Sequence, residues 1–159
     1  MISCLCTQGG SIMRINTKCS VAVHCLLFLH EYGETQRVTS GILALSTGCN
    51  PVVIRNLISA LKKAGIVEVA GGKGGTRLCR SPEEITLYQI YKAVDPGCLD
   101  DLVGIHPLPS ALCPIGRNIR TVLAVPYGKL QADVRKSLES STLADIVAEY
   151  QNAQGQKGQ

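Results

Sequence analysis

The chain has 159 residues, a formal net charge of +4 and 45% apolar residues, enough to bury a core and too many for a disordered tail. Trp is absent and Phe occurs once, so that core must be aliphatic. No apolar run reaches the about 20 residues that cross a bilayer, and residues 1–12 lack the basic start and apolar stretch of a secretion signal, so a cytoplasmic chain with no membrane partner is the expectation.

Residues 1–12 read as a disordered extension, with Met13 as a candidate start. The first predicted helix runs from Asn16 to about Leu29, where Val21, Ala22, Cys25, Leu26 and Leu29 recur at helical spacing. Asn16 or Thr17 can cap it, and Gly33 breaks it. A short helix follows over Thr39–Ser46, with Thr39 as cap and Ile42, Leu43 and Leu45 inward. Thr47-Gly48-Cys49 makes a tight turn. Asn50 then caps a third helix, with Pro51 at the favoured first position and Gly65 as its stop. Ile54, Leu57, Ile58 and Leu61 form its inward stripe.

The period then changes. Ile66-Val67-Glu68-Val69-Ala70 is β-rich, Gly71 to Gly75 turns, and Thr76-Arg77-Leu78-Cys79 alternates, which predicts a hairpin. A lone two-stranded ribbon is not stable, so it must rest on the helices. Thr86 caps a fourth helix over Leu87–Val94, and residues 95–114 form a proline-broken loop. Ile115, Ile119, Val122, Leu123, Leu130, Val134 and Leu138 mark an amphipathic helix of about 25 residues, kinked at Pro126. Thr142 caps a last short helix through Ile146 and Val147, and the tail from Asn152 reads as frayed. The fold class is mainly α with a small β-hairpin. Residues 13–80 form a winged helix-turn-helix, 81–151 an effector loop and dimerisation helices, and 152–159 the tail.

Charge is unevenly spread. Residues 1–80 carry nine Lys/Arg against three Asp/Glu, and 81–159 carry seven against nine. A basic front suits a polyanion, although many solvated faces look alike. The outer side of the third helix offers Asn50, Val52, Val53, Arg55, Asn56 and Ser59. Arg can pair with guanine, Asn with adenine, and Val can touch a thymine methyl. Lys62 and Lys63 suit phosphates. Taken alone, an ordinary solvated helix face explains these residues better. The hairpin tip decides for double-stranded DNA: its glycines, including Gly74 and Gly75, allow close approach, while Lys73, Thr76 and Arg77 supply charge and a hydroxyl. A nucleotide-binding loop fails on context, because Lys73 is followed by two glycines and β-type residues instead of Ser/Thr opening a helix.

The long helix outreaches a module of this size. Pairing with its copy is the commonest solution, against folding back within the chain, so a homodimer is expected. Eight cysteines would suit a disulfide framework only in a secreted mini-domain. Cys19, Cys25 and Cys49 fall among helix-type apolar residues and read as reduced, partly buried thiols.

Met13-Arg14-Ile15-Asn16, Asn50-Pro51-Val52-Val53-Ile54-Arg55-Asn56-Leu57, Ala64-Gly65-Ile66-Val67 and Gly72-Lys73-Gly74-Gly75 resemble the Rrf-two (Rrf2) family of bacterial winged-helix regulators. So do Glu84-Ile85-Thr86-Leu87 and the segment from Leu138 to Val147, so that the resemblance runs in order from residue 13 to about 150. It implies a dimer joined through the long helix, with paired recognition helices on a two-fold operator. Cluster-binding members carry three closely spaced loop cysteines. Here only Cys98 and Cys113 occur, with fourteen residues between them. In a second cluster-binding variant, His24 stands where its His ligand would, but Ser20 replaces the Glu. Two thiolates leave coordination short, so no metal or resident cofactor is expected, with an iron–sulfur cluster as the lesser alternative. His24 reads instead as a satisfied helix histidine. Gly71 stands where some relatives place a wing Arg, so Lys73 or Arg77 would take over its contact.

The expectation is a sequence-specific transcriptional regulator, a repressor, whose loop with Cys98, Cys113 and His24 as candidates senses a redox or small-molecule effector. The alternative is a winged-helix adaptor that binds an enzyme of thiol metabolism. An enzyme using Cys113 as nucleophile is not expected, since no convergent motif surrounds its only candidate bases, His24 and His106.

Overall fold

The computed structural model describes residues 17–71, 74–97 and 102–156. The order is α1 (Thr17–Tyr32), α2 (Ser40–Thr47), α3 (Pro51–Lys63), β1 (Val67–Val69), β2 (Thr76–Leu78), a 3-10 turn (Pro82–Glu84), α4 (Leu87–Val94), α5 (Pro114–Ser140) and α6 (Leu143–Gly155).

Local chemistry sets the boundaries. The Thr39 side chain accepts from the Ile42 N–H at 3.3 Å, and Gly48 ends α2 in the left-handed region at φ 67°. Asn50 Oδ1 accepts from the Val52 N–H at 2.8 Å. Gly65 adopts φ 67° beyond α3, with its own N–H on the Lys62 carbonyl at 3.0 Å and that of Ile66 on Leu61 at 3.0 Å, so two of the helix's last carbonyls are satisfied there. Thr86 and Thr142 each form reciprocal capping boxes, with Gln89 and Asp145.

The ribbon is antiparallel, with Val67 opposite Leu78, Glu68 opposite Arg77 and Val69 opposite Thr76. Its inner face is Val67, Thr76 and Leu78; Glu68 and Arg77 point outward, as period-two alternation requires. The core joins Leu26 and Leu29 of α1, Leu43 of α2, the α3 stripe Ile54, Leu57, Ile58 and Leu61, and Ile66, Val67, Ile85, Ile90 and Leu143. It therefore crosses the boundary expected after residue 80. Backbone bonds from Leu87 N–H to the Ser141 carbonyl and from Leu143 N–H to Ile85, both 2.8 Å, sew the start of α6 onto this core.

Several expectations need correction. Leu45 faces solvent and Ala44 takes its place in the core, because one residue is a 100° rotation on a helix of only two turns. Asn152 begins no frayed tail: α6 continues to Gly155, the residues after Gln156 lying outside those described. The long helix starts at Pro114, one residue before the expected Ile115, and its 27 residues run on through Pro126 as the expected single helix. The expected extension 1–12, the candidate start Met13, and Asn16 also lie outside the described residues.

α5 packs on α4, where the Arg135 guanidinium sits 4.9 Å from the Tyr88 ring centre. Leu123, Tyr127, Val134 and Leu138 are half-buried on one stripe of α5, yet none of its residues is fully buried. Ile115, Val122 and Val125, on another stripe, are 72, 64 and 79% exposed. Among the described residues no single helix is long and apolar enough to cross a membrane.

Candidate nucleic-acid interface

The buried stripe of α3 orients its other face outward. With 3.6 residues per turn, burying Ile54, Leu57, Ile58 and Leu61 leaves Val52, Val53, Arg55, Asn56, Ser59, Lys62 and Lys63 on the outer arc, and all seven are exposed. The helix presents its N-terminal end free of acidic residues. Asn50 Oδ1 is already turned onto the Val52 N–H as the cap, whereas no such cap bond engages Asn56.

The arc divides in two. Arg55, Ser59 and Lys62 line a cleft of about 390 Å³ that the ribbon closes with Gly74, Gly75 and Thr76. Asn56 and Lys63 lie on the other flank, beside Ala93 of α4. The cleft between α3 and the hairpin thus lies on the Arg55 side. Thr76 is buried and serves the ribbon: its N–H donates to the Val38 carbonyl at 2.8 Å. Arg77 stands on the outer face and is paired with the Glu68 carboxylate across the ribbon. That pairing weakens its expected role as a DNA contact, since the charge is partly neutralised before DNA arrives. Lys73 and Gly72 lie outside the described residues. Close packing explains the tip glycines: a Cβ on Gly75 would stand 2.9 Å from both the backbone N and O of Val38, and one on Gly74 would stand 2.3 Å from the Ala70 Cβ.

Arg37 also lines this cleft, and the sequence reading missed it. It lies in the link between α1 and α2, where no periodicity marks it. Its only signal was basic charge just before the Thr39 cap.

Two of the expected effector residues, His24 and Cys113, are among those described. His24 Nε2 is 3.0 Å from the Ser46 Oγ of α2, the satisfied position expected for it. Cys113 is exposed and sits at the cap of α5, its N–H on the Ser110 carbonyl at 3.2 Å. Cys98 lies outside the described residues. Cys19 and Cys25 are buried free thiols, and burial pushes the Cys25 thiol up to about 12, which keeps it protonated and unreactive. Cys49 is a half-buried free thiol.

The Rrf2 family model, described as an iron-dependent transcriptional regulator, matches residues 15–149. The Bacillus subtilis (strain 168) protein YwnA, named as an HTH-type transcriptional regulator, is 33% identical over 133 residues, covering 84% of this chain and 96% of its own. A transcriptional-regulator crystal structure from Lactobacillus plantarum aligns with TM-score 0.70 and 27% identity, over 90% of this chain and 99% of that one. The T. potens IscR structure aligns with TM-score 0.65 and 25% identity, over 89% and 90%.

The family description implies iron, and the described donors do not fit it. No three His, Cys, Asp or Glu side chains converge among the described residues; Cys113 sits at the cap of α5, His24 is bonded to Ser46 of α2, and Cys98 lies outside the described residues. Continuous match over most of its length, together with a winged helix-turn-helix and a long C-terminal helix, places this chain in the Rrf2 family of DNA-binding transcriptional regulators.

Proposed function

We propose that the protein is a cytoplasmic repressor that binds a two-fold operator as a homodimer, each subunit laying α3 in the major groove with its ribbon alongside. The observation that supports it most is α5: 27 residues with none fully buried and an apolar stripe at Ile115, Val122 and Val125 facing away from its own core. A second copy covers such a stripe with like residues, and two-fold pairing is the usual closed solution. Two α3 helices then address successive turns of one duplex.

Gel-shift titration over a salt series tests the DNA side, since phosphate contacts release counterions and binding must weaken steeply with salt. Arg55→Ala is expected to cost about 1–3 kcal/mol on an operator selected from random DNA and to relax base preference at one position. An equal loss on random duplex would show that Arg55 touches phosphate alone.

Signal sensing belongs to the segment between α4 and α5. Cys113 is exposed where that loop becomes the long helix, so modifying its thiol changes the residue that starts α5. A tilt of α5 would alter the spacing of the two α3 helices. In cells carrying an operator reporter, Cys113→Ser is expected to abolish derepression by electrophiles or oxidants. Undiminished derepression would remove Cys113 from the sensor.

A further inference from the structure

The cleft between α3 and the ribbon is more basic than DNA reading by α3 alone requires. Arg37, Arg55 and Lys62 line it with the hydroxyls of Thr39 and Ser59, and no carboxylate is among its lining residues. Arg37 comes from outside both reading elements, yet its place is fixed. The Thr76 N–H bonds the Val38 carbonyl at 2.8 Å, which seams the start of β2 to the 37–39 link. At Gly75 a Cβ would meet the Arg37 Cγ at 3.3 Å, so the Arg37 stem lies along the ribbon backbone. Lys62 lines the same cleft from the last turn of α3. The Thr39 oxygen accepts from the Ile42 N–H, which leaves its hydroxyl hydrogen to donate. Arg77 does not line this cleft and is tied to Glu68 on the outer face.

We propose that this cleft seats one backbone phosphate of the operator, gripped between Arg37 and Lys62, and that Arg37 thereby sets the register of α3 in the groove. The inference rests on the DNA-binding reading above and adds to it the position of one anion. A cleft of about 390 Å³ lies within the roughly 300–1,000 Å³ of ordinary ligand pockets, room enough for a phosphate group. Phosphate contacts position a protein on the duplex while base contacts specify the sequence. A cation seamed to both the ribbon and the cap of α2 is rigid enough for positioning. Guanidinium supplies parallel donors to two phosphate oxygens, and ammonium supplies a point charge.

The test uses the full chain and its selected operator, in anisotropy titrations over a salt series with wild type, Arg37→Gln, Lys62→Gln, the double variant and Arg37→Lys. Each Gln variant is expected to bind operator and random duplex roughly tenfold more weakly, by the same factor on both, and to lose about one from the slope of log K against log salt. Arg37→Lys keeps the slope. Because the two cations share one phosphate, the double variant loses less than the sum of the single losses. A scan of single neutral methylphosphonate linkages is expected to find one per half-site that weakens wild type but not Arg37→Gln. If wild type binds with a steep salt dependence and Arg37→Gln keeps the same affinity and slope, the phosphate seat is wrong and the DNA reading survives. A loss confined to the operator, or linkages that cost the variant as much as wild type, overturns it equally. If wild type shows no salt-dependent duplex binding, the broader reading falls with it. Matching thermal melts of the variants confirm that only binding is being measured.

Discussion

Val122→Glu is expected to convert the protein into a monomer and to weaken operator binding about a hundredfold or more, the avidity lost when linked sites separate. Val122 is 64% exposed in the single subunit and lies on the apolar stripe of α5, away from the half-buried residues Leu123, Val134 and Leu138. A carboxylate there faces water in the lone subunit and costs it little. In a two-fold pair it faces apolar surface and, near the axis, its own copy, so the penalty falls on association alone. Sedimentation should show one subunit, the thermal melt of the isolated fold should persist, and binding to a half-site should be retained. A variant that still sediments as a dimer with full operator affinity would place the interface elsewhere and remove the two-fold model proposed for α5.

Ile54→Ala is expected to lower unfolding free energy by about 2–5 kcal/mol, transfer and cavity terms together. Ile54 has no exposed surface and belongs to the cluster that holds α3 against α1 and α2. Domains have only about 5–15 kcal/mol in total, so this loss is a large fraction of the whole. Ile54 directly precedes Arg55, so loosening it also frees the helix that would read DNA. Denaturant midpoints at equal protein concentration measure the effect, since a dimer's stability depends on concentration. A shift below about 1 kcal/mol would mean that the site collapses around the missing carbons, and that α3 is held chiefly by Leu57, Ile58 and Leu61.

The sequence by itself determined each helix whose ends carry their own chemistry. Thr39, Asn50, Thr86 and Thr142 cap where they were expected to, because a cap bonds N–H groups only two or three residues away. The inner and outer sides of α3 were legible for the same local reason: its period alone sorts Ile54, Leu57, Ile58 and Leu61 from Arg55, Asn56 and Ser59. Gly48 and Gly65 announced their left-handed turns.

Tertiary structure alone decided what depends on residues far apart in the chain. Leu45 is apolar yet exposed, because whether Leu45 or Ala44 meets the core depends on how α2 is rotated against α1 and α3. Leu143 enters the core by a backbone seam to Ile85, a pairing that no spacing along the chain encodes. Arg77 reads in the sequence as an unpaired charge, and only the ribbon's register puts Glu68 opposite it. Arg37 carries no periodic signal in the sequence, and only the Thr76–Val38 hydrogen bond draws its segment beside the cleft. Caps and stripes are set by neighbours within one turn of helix. Register, rotation and the meeting of charges across a cleft are set by packing between elements, where the free energy of burial selects among arrangements that the local sequence permits equally.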